Sequence, residues 1–202
     1  MWEIIKAAGW PIWPLIAISI VAVALIIERA LTLRRSQVIP PGLTEKVIEE
    51  YRRKGLTQEL VNLTAAQGPL GQVLAAGLAN LGSPREVMKE AIEATGVVVA
   101  HGLEKYLNAL ATIATAAPLM GLFGTIVGMI EIFGSQNATG TDPAKLASGI
   151  SVALYNAAMG ILVAIPALMF YRYFRGKVDA LLIDMEQEAT RLVDVLHGER
   201  VK

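Results

Sequence analysis

The chain contains no cysteine. That excludes disulfides, thiolate metal sites and a cysteine nucleophile. Its two histidines, His101 and His197, are far apart, and no HExxH pairing exists. The glycines of GLFGTIVG (residues 121–128) lack the Lys-Ser/Thr that a phosphate loop requires. The sequence therefore predicts no metal, no cofactor and no enzyme. Charge is missing from three long stretches, residues 7–27, 106–130 and 146–171. Each exceeds the roughly 20 residues that a helix needs to cross a bilayer. With 54% hydrophobic residues and a mean hydropathy of +0.50, the chain is too apolar for an ordinary soluble domain. The first stretch is too long for the apolar core of a signal peptide, and its basic cluster follows rather than precedes it. It reads as a retained span.

The net charge is zero, but its distribution is lopsided. Of 18 Lys and Arg, ten lie between Arg29 and Lys105 and six between Arg172 and Lys202. The positive-inside rule then places the amino terminus outside and the carboxyl terminus inside. Trp10 and Trp13 at the outer end of span one suit an interfacial aromatic belt. Basic residues alternate with acids and cluster at membrane ends, so no nucleic-acid partner is indicated. The predicted fold is an all-α integral membrane protein with three transmembrane helices. The first is residues 7–27, followed by a cytoplasmic helical region at 28–105. The second is 106–133, with a periplasmic loop at 134–145. The third is 146–171, and a cytoplasmic helical tail occupies 172–202.

Within the cytoplasmic region, Pro40-Pro41-Gly42 breaks the chain. The amphipathic EKVIEEYRRK follows and ends at Gly55. Shorter helices are predicted over 59–66 and 72–81, separated by Gly68-Pro69. In SPRE, Ser83 fits a helix cap, Pro84 the first helical position and Glu86 the reciprocal bond. No strong break follows until after Phe133, which predicts one long helix from there through span two. Two sequons, at Asn62 and Asn137, carry no weight. In the tail, Leu182, Met185, Ala189, Leu192 and Leu196 form a heptad seam. It suits packing on the chain's own helices or between subunits.

Glycine is costly in a water-exposed helix, yet span two carries Gly121, Gly124 and Gly128. In lipid, helices associate largely through close approach at small residues. Span three repeats the device with Gly149, Ala153, Ala157 and Gly160. This pattern predicts tight packing, expected across subunits. Polar residues are sparse: Thr112, Thr115 and Thr125 in span two, and Ser148, Ser151, Tyr155 and Asn156 in span three. Ser148, Ser151 and Tyr155 share a helical face. Glu28 and Glu131 stand at span ends, and no acid lies near the centre of a span. The chain thus brings no mid-membrane carboxylate of its own to carry a proton.

APLMGLFGTIVGMIEIF (residues 117–133) and SGISVALYNAAMGILVAIPALMFYRYF (residues 148–174) resemble the ExbB/TolQ/MotA proton-channel family, its ExbB branch above all. The three-span layout, the large loop and the helical tail resemble it too, so the likeness covers essentially the whole chain. It implies a homo-pentamer in the inner membrane of a Gram-negative bacterium, with spans two and three around a central pore. The pore would hold a single-span, ExbD-like partner whose aspartate binds the proton, and proton flow would energise a TonB-like protein. Thr125 matches the family's pore threonine. Thr115, Ser148, Ser151, Tyr155 and Asn156 are further candidates for the proton path. The chain departs from the family at Val152, where a glutamate is frequent, and at Ala157, where a second pore threonine is frequent. A TolQ-like role in envelope maintenance and a non-conducting membrane scaffold are the alternatives.

Overall fold

The computed structural model describes residues 9–134 and 143–197. The first residues of span one, the sequon at Asn137 and most of the polar loop fall outside them. Among the described residues the chain is helical throughout. The helices are α1 (Ile12–Thr32), α2 (Arg35–Val38), α3 (Leu43–Lys54), α4 (Gln58–Ala65), α5 (Pro69–Ala79), α6 (Arg85–Glu104), α7 (Leu107–Gly134) and α8 (Pro143–Leu196). Three stretches are long and apolar enough to cross a membrane: Ile12–Thr32, Arg85–Gly134 and Leu146–Leu196. At most 33% of each hydrophobic window is buried within the chain. A helix that is apolar all round must be covered by something. Here lipid or other protein covers it, as in an integral membrane protein.

The chain divides into two compact units. One combines residues 1–28 with 106–173 and contains the apolar helices. In it α7 and α8 run antiparallel along a seam of small residues. A methyl group added to Gly160 would stand 2.6 Å from the Ala117 carbonyl oxygen, and one on Gly121 2.8 Å from that of Asn156. Backbone touches backbone at these two levels, so only glycine fits. Further along, Gly124 faces the Asn156 side chain, Gly128 faces Val152 and Ala153, and Gly149 faces Ile132. This close approach is made within one chain. The sequence pattern, read as an intersubunit device, did not reveal that α7 and α8 use it on each other. Ile18 of α1 joins Ile113 and Met159 against the buried Ala117, Val163 and Ala164. Trp10 meets Phe123 edge-on with ring centroids 6.1 Å apart.

The second unit combines residues 29–105 with 174–202. Its core holds Leu33, Leu70, Leu74, Leu78, Met88, Phe174, Val178 and Leu192. The seam of the tail is spent here: Met185, Ala189 and Leu192 are buried, with Leu182 and Leu196 half-buried. Thr57 caps α4 by accepting a hydrogen bond from the Leu60 amide at 3.2 Å. Gly68, at φ 96°, turns the chain into α5. Ion pairs tie α8 to the earlier helices: Arg35–Asp184 at 3.1 Å, Arg85–Asp194 at 2.9 Å, Arg175–Glu104 at 2.5 Å, and Arg191–Glu45. The Glu45 carboxyl sits below its ordinary value, first through a hydrogen bond from its own backbone amide and then through Arg191. Its contribution to folding is therefore present above the ordinary value and fades as pH falls through the lowered one.

Two expectations are corrected. The helix after SPRE starts one residue late: Pro84 takes the cap position, with no side-chain bond. The single helix predicted through span two is instead two helices, broken at Lys105 and Tyr106. Tyr106 takes φ 65°, a left-handed conformation costly for a bulky residue. Neither glycine nor proline stands at the break, so the sequence concealed it. A side chain 74 residues from Leu103 meets the helix end there. Arg29, only 3% exposed, donates from Nη1 to the Leu103 carbonyl at 3.1 Å. In a continuous helix that carbonyl would accept the Leu107 amide. A buried guanidinium at the end of α6 also complements the helix dipole.

Two outcomes follow. Gly160→Ala and Gly121→Ala should each destabilise the protein by about 1–3 kcal/mol through overpacking. Gly128→Ala should be nearly neutral, because its added methyl meets nothing closer than 3.6 Å. Thermal unfolding in detergent measures all three; equal effects would mean that backbone proximity does not set the cost. Arg29→Met leaves the Leu103 carbonyl without its charged donor and should cost about 1.5–3 kcal/mol. An unchanged midpoint would show that Arg29 does not hold the break.

Candidate functional site

Polar side chains on apolar helices are the candidates for chemistry, and most are tied to their own backbone. Thr112 Oγ1 donates to the Asn108 carbonyl (2.8 Å), and Thr115 Oγ1 lies within reach of the Ala111 and Thr112 carbonyls (3.2 and 3.0 Å). Thr125 donates to Leu122 at 2.6 Å and Ser151 to Ala147 at 2.9 Å. This is the usual way for a helix to satisfy an isolated hydroxyl. It leaves the oxygen lone pairs able to accept a hydrogen bond from a protonated acid. To stabilise an ionised acid, the hydroxyl must rotate off its carbonyl and donate.

The seam fixes which way each residue faces. Along α7 the buried residues are Ala114, Ala117, Gly121, Gly124 and Gly128. One residue further on lies about 100° round the helix. Ile113 and Phe123 precede seam residues and face the α1 side, where Ile18 and Trp10 lie. Thr125 follows Gly124 and so falls on the flank opposite Ile113; Thr115, ten residues earlier, is turned about 80° from Thr125, toward the back of α7. They are roughly 15 Å apart along the axis, at 1.5 Å per residue. Thr125 is half-buried and Thr115 exposed in the single chain.

On α8 the same reasoning separates the candidates. Met159 precedes Gly160 and packs on the α1 side. Tyr155 precedes Asn156 and Ser148 precedes Gly149, which puts both on that side as well. Ser151 points to the back of α8, away from the seam. Ser148, Ser151 and Tyr155 are all exposed in the single chain. Asn156 is fully buried, pressed on Gly124 and donating to the Val152 carbonyl at 3.2 Å. The α8 residue that follows the seam beside Thr125 is Ala157. The structure thus separates Thr125 from Ser148 and Tyr155, which lie on the α1 side, and seals Asn156 inside. Helical spacing alone groups residues on one helix. Assigning sides requires knowing which face the partner helix covers.

Among the described residues, no group of three or more His, Asp and Glu stands ready to hold a metal ion. His101 is exposed, and the His197 ring lies 3.2 Å from the Val193 carbonyl. Glu131 is exposed and Glu28 half-buried, each at a span end.

Residues 65–187, which include the whole α7–α8 seam, match the model of the MotA/TolQ/ExbB proton channel family. The biopolymer transport protein ExbB homolog of Methanothermobacter thermautotrophicus is 29% identical over 178 residues, covering 88% of this chain and 63% of that protein. The biopolymer transport protein exbB1 of Vibrio cholerae is 32% identical over 166 residues, covering 79% and 72%. The Tol-Pal system protein TolQ of Haemophilus influenzae is 28% identical over 210 residues, covering 92% and 86%. The matched region holds the backbone-contact glycines, Thr125 and the sealed Asn156, and with them the chain belongs to the MotA/TolQ/ExbB proton channel family.

Proposed function

We propose that the protein is the channel-forming subunit of an inner-membrane motor in a Gram-negative bacterium, driven by the proton motive force. It assembles as a pentamer, amino terminus outside and carboxyl terminus inside. A single-span, ExbD-like partner brings the proton-binding aspartate, and a TonB-like protein receives the work. The observation that carries this reading is Thr125. It is a hydroxyl inside an apolar span, on the flank that α1 leaves open, in a chain whose spans hold no central carboxylate.

The energetics fit that division of labour. A proton crossing the potential releases about 2.3 kcal/mol per 100 mV. An ionised carboxylate at mid-bilayer costs at least ~2.5–3.5 kcal/mol, so the partner's aspartate needs a donor when it releases its proton. Thr125 supplies it by turning from the Leu122 carbonyl toward the acid. Thr115 offers a second acceptor nearer the start of α7. Ser148, Ser151 and Tyr155 serve the path only if a neighbouring subunit brings their faces to the pore. Asn156 acts by fixing the seam beside Gly124. Val152 and Ala157, where relatives often carry Glu and Thr, leave Thr125 as the principal polar group at that level. A Tol-Pal role in envelope maintenance is the competing load, supported by the TolQ match along 92% of the chain.

Thr125→Val keeps the shape and removes the hydroxyl. It should leave assembly intact and slow partner-dependent, proton-driven uptake roughly tenfold, as expected for loss of one hydrogen bond to a charge. Uptake by cells expressing the variant with its native partner, at matched protein levels, measures this. Full transport would exclude the Thr125 hydroxyl from the path. The proposed orientation is tested separately by cysteine labelling: Gly55→Cys should react only from the cytoplasm and Gly140→Cys only from outside. The reverse pattern would overturn it.

A further inference from the structure

Eight residues, MWEIIKAA, precede Gly9, the first described residue. They carry Lys6, which with Lys145 stands outside the two basic clusters of the chain. A cation at that end of the spans runs against the charge pattern of the rest. The membrane unit offers a local reason for it.

The chain turns at Gly9, where φ is 73°, and Trp10 then meets Phe123. α1 begins two residues later and runs back toward Ile113, where Ile18 packs. α7 continues the other way, past Phe123 to Gly134. Beyond Phe123, α1 therefore leaves its own side of α7 and α8 uncovered. Helical spacing identifies the residues there. Glu131 lies eighteen residues, five full turns, from Ile113, and Val127 one turn before Glu131. On α8, Val152 and Ser148 lie seven and eleven residues before Met159, within about 20° of it. Val127 and Val152 are half-buried, while Ser148 and Glu131 are exposed. Glu131 joins no ion pair among the described residues. This face is thus an apolar strip with one carboxylate at its end, and an acid at the edge of a span is better placed when a cation meets it.

The cation is within reach. Glu131 is eight residues past Phe123, about 12 Å along the axis. Lys6 is four residues before Trp10. Four residues cover about 6 Å as helix and up to about 13 Å extended, and the lysine side chain adds its own length. Ile4 and Ile5 arrive with Lys6 as apolar cover for the two valines.

We propose that residues 1–8 dock on this face, with Lys6 pairing with Glu131 and with Ile4 and Ile5 lying on Val127 and Val152. Charge and tether select this occupant, because the segment is already anchored beside the face at Trp10. The contact lies on the side opposite Thr125 and holds in either orientation of the chain. Its failure would leave the proposed channel role untouched.

The chain has no cysteine, so labelled pairs can be introduced without interference. Full-length protein in lipid vesicles carries Lys6→Cys with Glu131→Cys, or Lys6→Cys with Phe133→Cys. Phe133 is exposed near the level of Glu131 but stands about 160° away round α7. A short bismaleimide should link the first pair, within one chain, at least about fivefold faster than the second, since docking raises the effective concentration of that pair alone. Glu3→Gln, which removes the acid three residues from Lys6, should leave the link no weaker. Lys6→Glu and Glu131→Lys should each lower the apparent thermal midpoint by about 2–4 °C. The double swap should recover most of that loss, and Glu131→Lys with Lys145→Glu none of it. Equal linking of both pairs would leave the segment on lipid headgroups. A link between two chains would give the face to a second copy. Recovery through Lys145 instead of Lys6 would give Glu131 a partner on α8. Each of these results overturns the proposal.

Discussion

The contact on which the membrane unit depends is backbone against backbone at Gly121 and Gly160. Lipid tails are as apolar as leucine, so helices gain nothing by hiding apolar side chains from them. Attraction must come from many close van der Waals contacts, and those require the two backbones to approach. The carbonyl oxygens of Ala117 and Asn156 occupy the space where side-chain carbons would otherwise stand. From this contact the register of α7 on α8 follows, then the burial of Asn156, and then the side on which Thr125 emerges. A displacement of one residue at the seam would turn Thr125 by about 100°.

The second unit is held by different physics. Its helices are amphipathic and bury leucine, valine and methionine in the ordinary way, with ion pairs between helices around the core. At its boundary, Arg29 supplies a buried charge to a helix end. That bond gives the Leu103 carbonyl a donor where the helical ladder is interrupted. A break maintained by a distant side chain is also one that a change at that side chain would release.

The proposed division of chemistry between subunits has a simple rationale. A carboxylate fixed in the channel wall would need permanent compensation inside the bilayer. A wall of hydroxyls already bonded to its own helices needs none, and it can lend a donor when a partner's acid ionises.

The three apolar stretches, the helical class and the family likeness were legible in the sequence, because length and hydropathy are properties of each segment alone. Thr125 stood out for the same reason, as a lone hydroxyl among small residues. The break at Tyr106 was not legible: Arg29, which bonds the Leu103 carbonyl at the helix end, is remote in sequence, and neither glycine nor proline stands at the break. The sides of α8 were not legible either. Ser148, Ser151 and Tyr155 share a helical face by spacing, but whether that face meets Thr125 depends on which stripe α7 covers. Sequence by itself determined which segments are helical and which of them lipid can surround, since local composition decides both. Tertiary structure alone decided where those helices stop, which faces remain open and which polar atoms lack partners. These depend on pairs of residues far apart in the chain that only packing brings together.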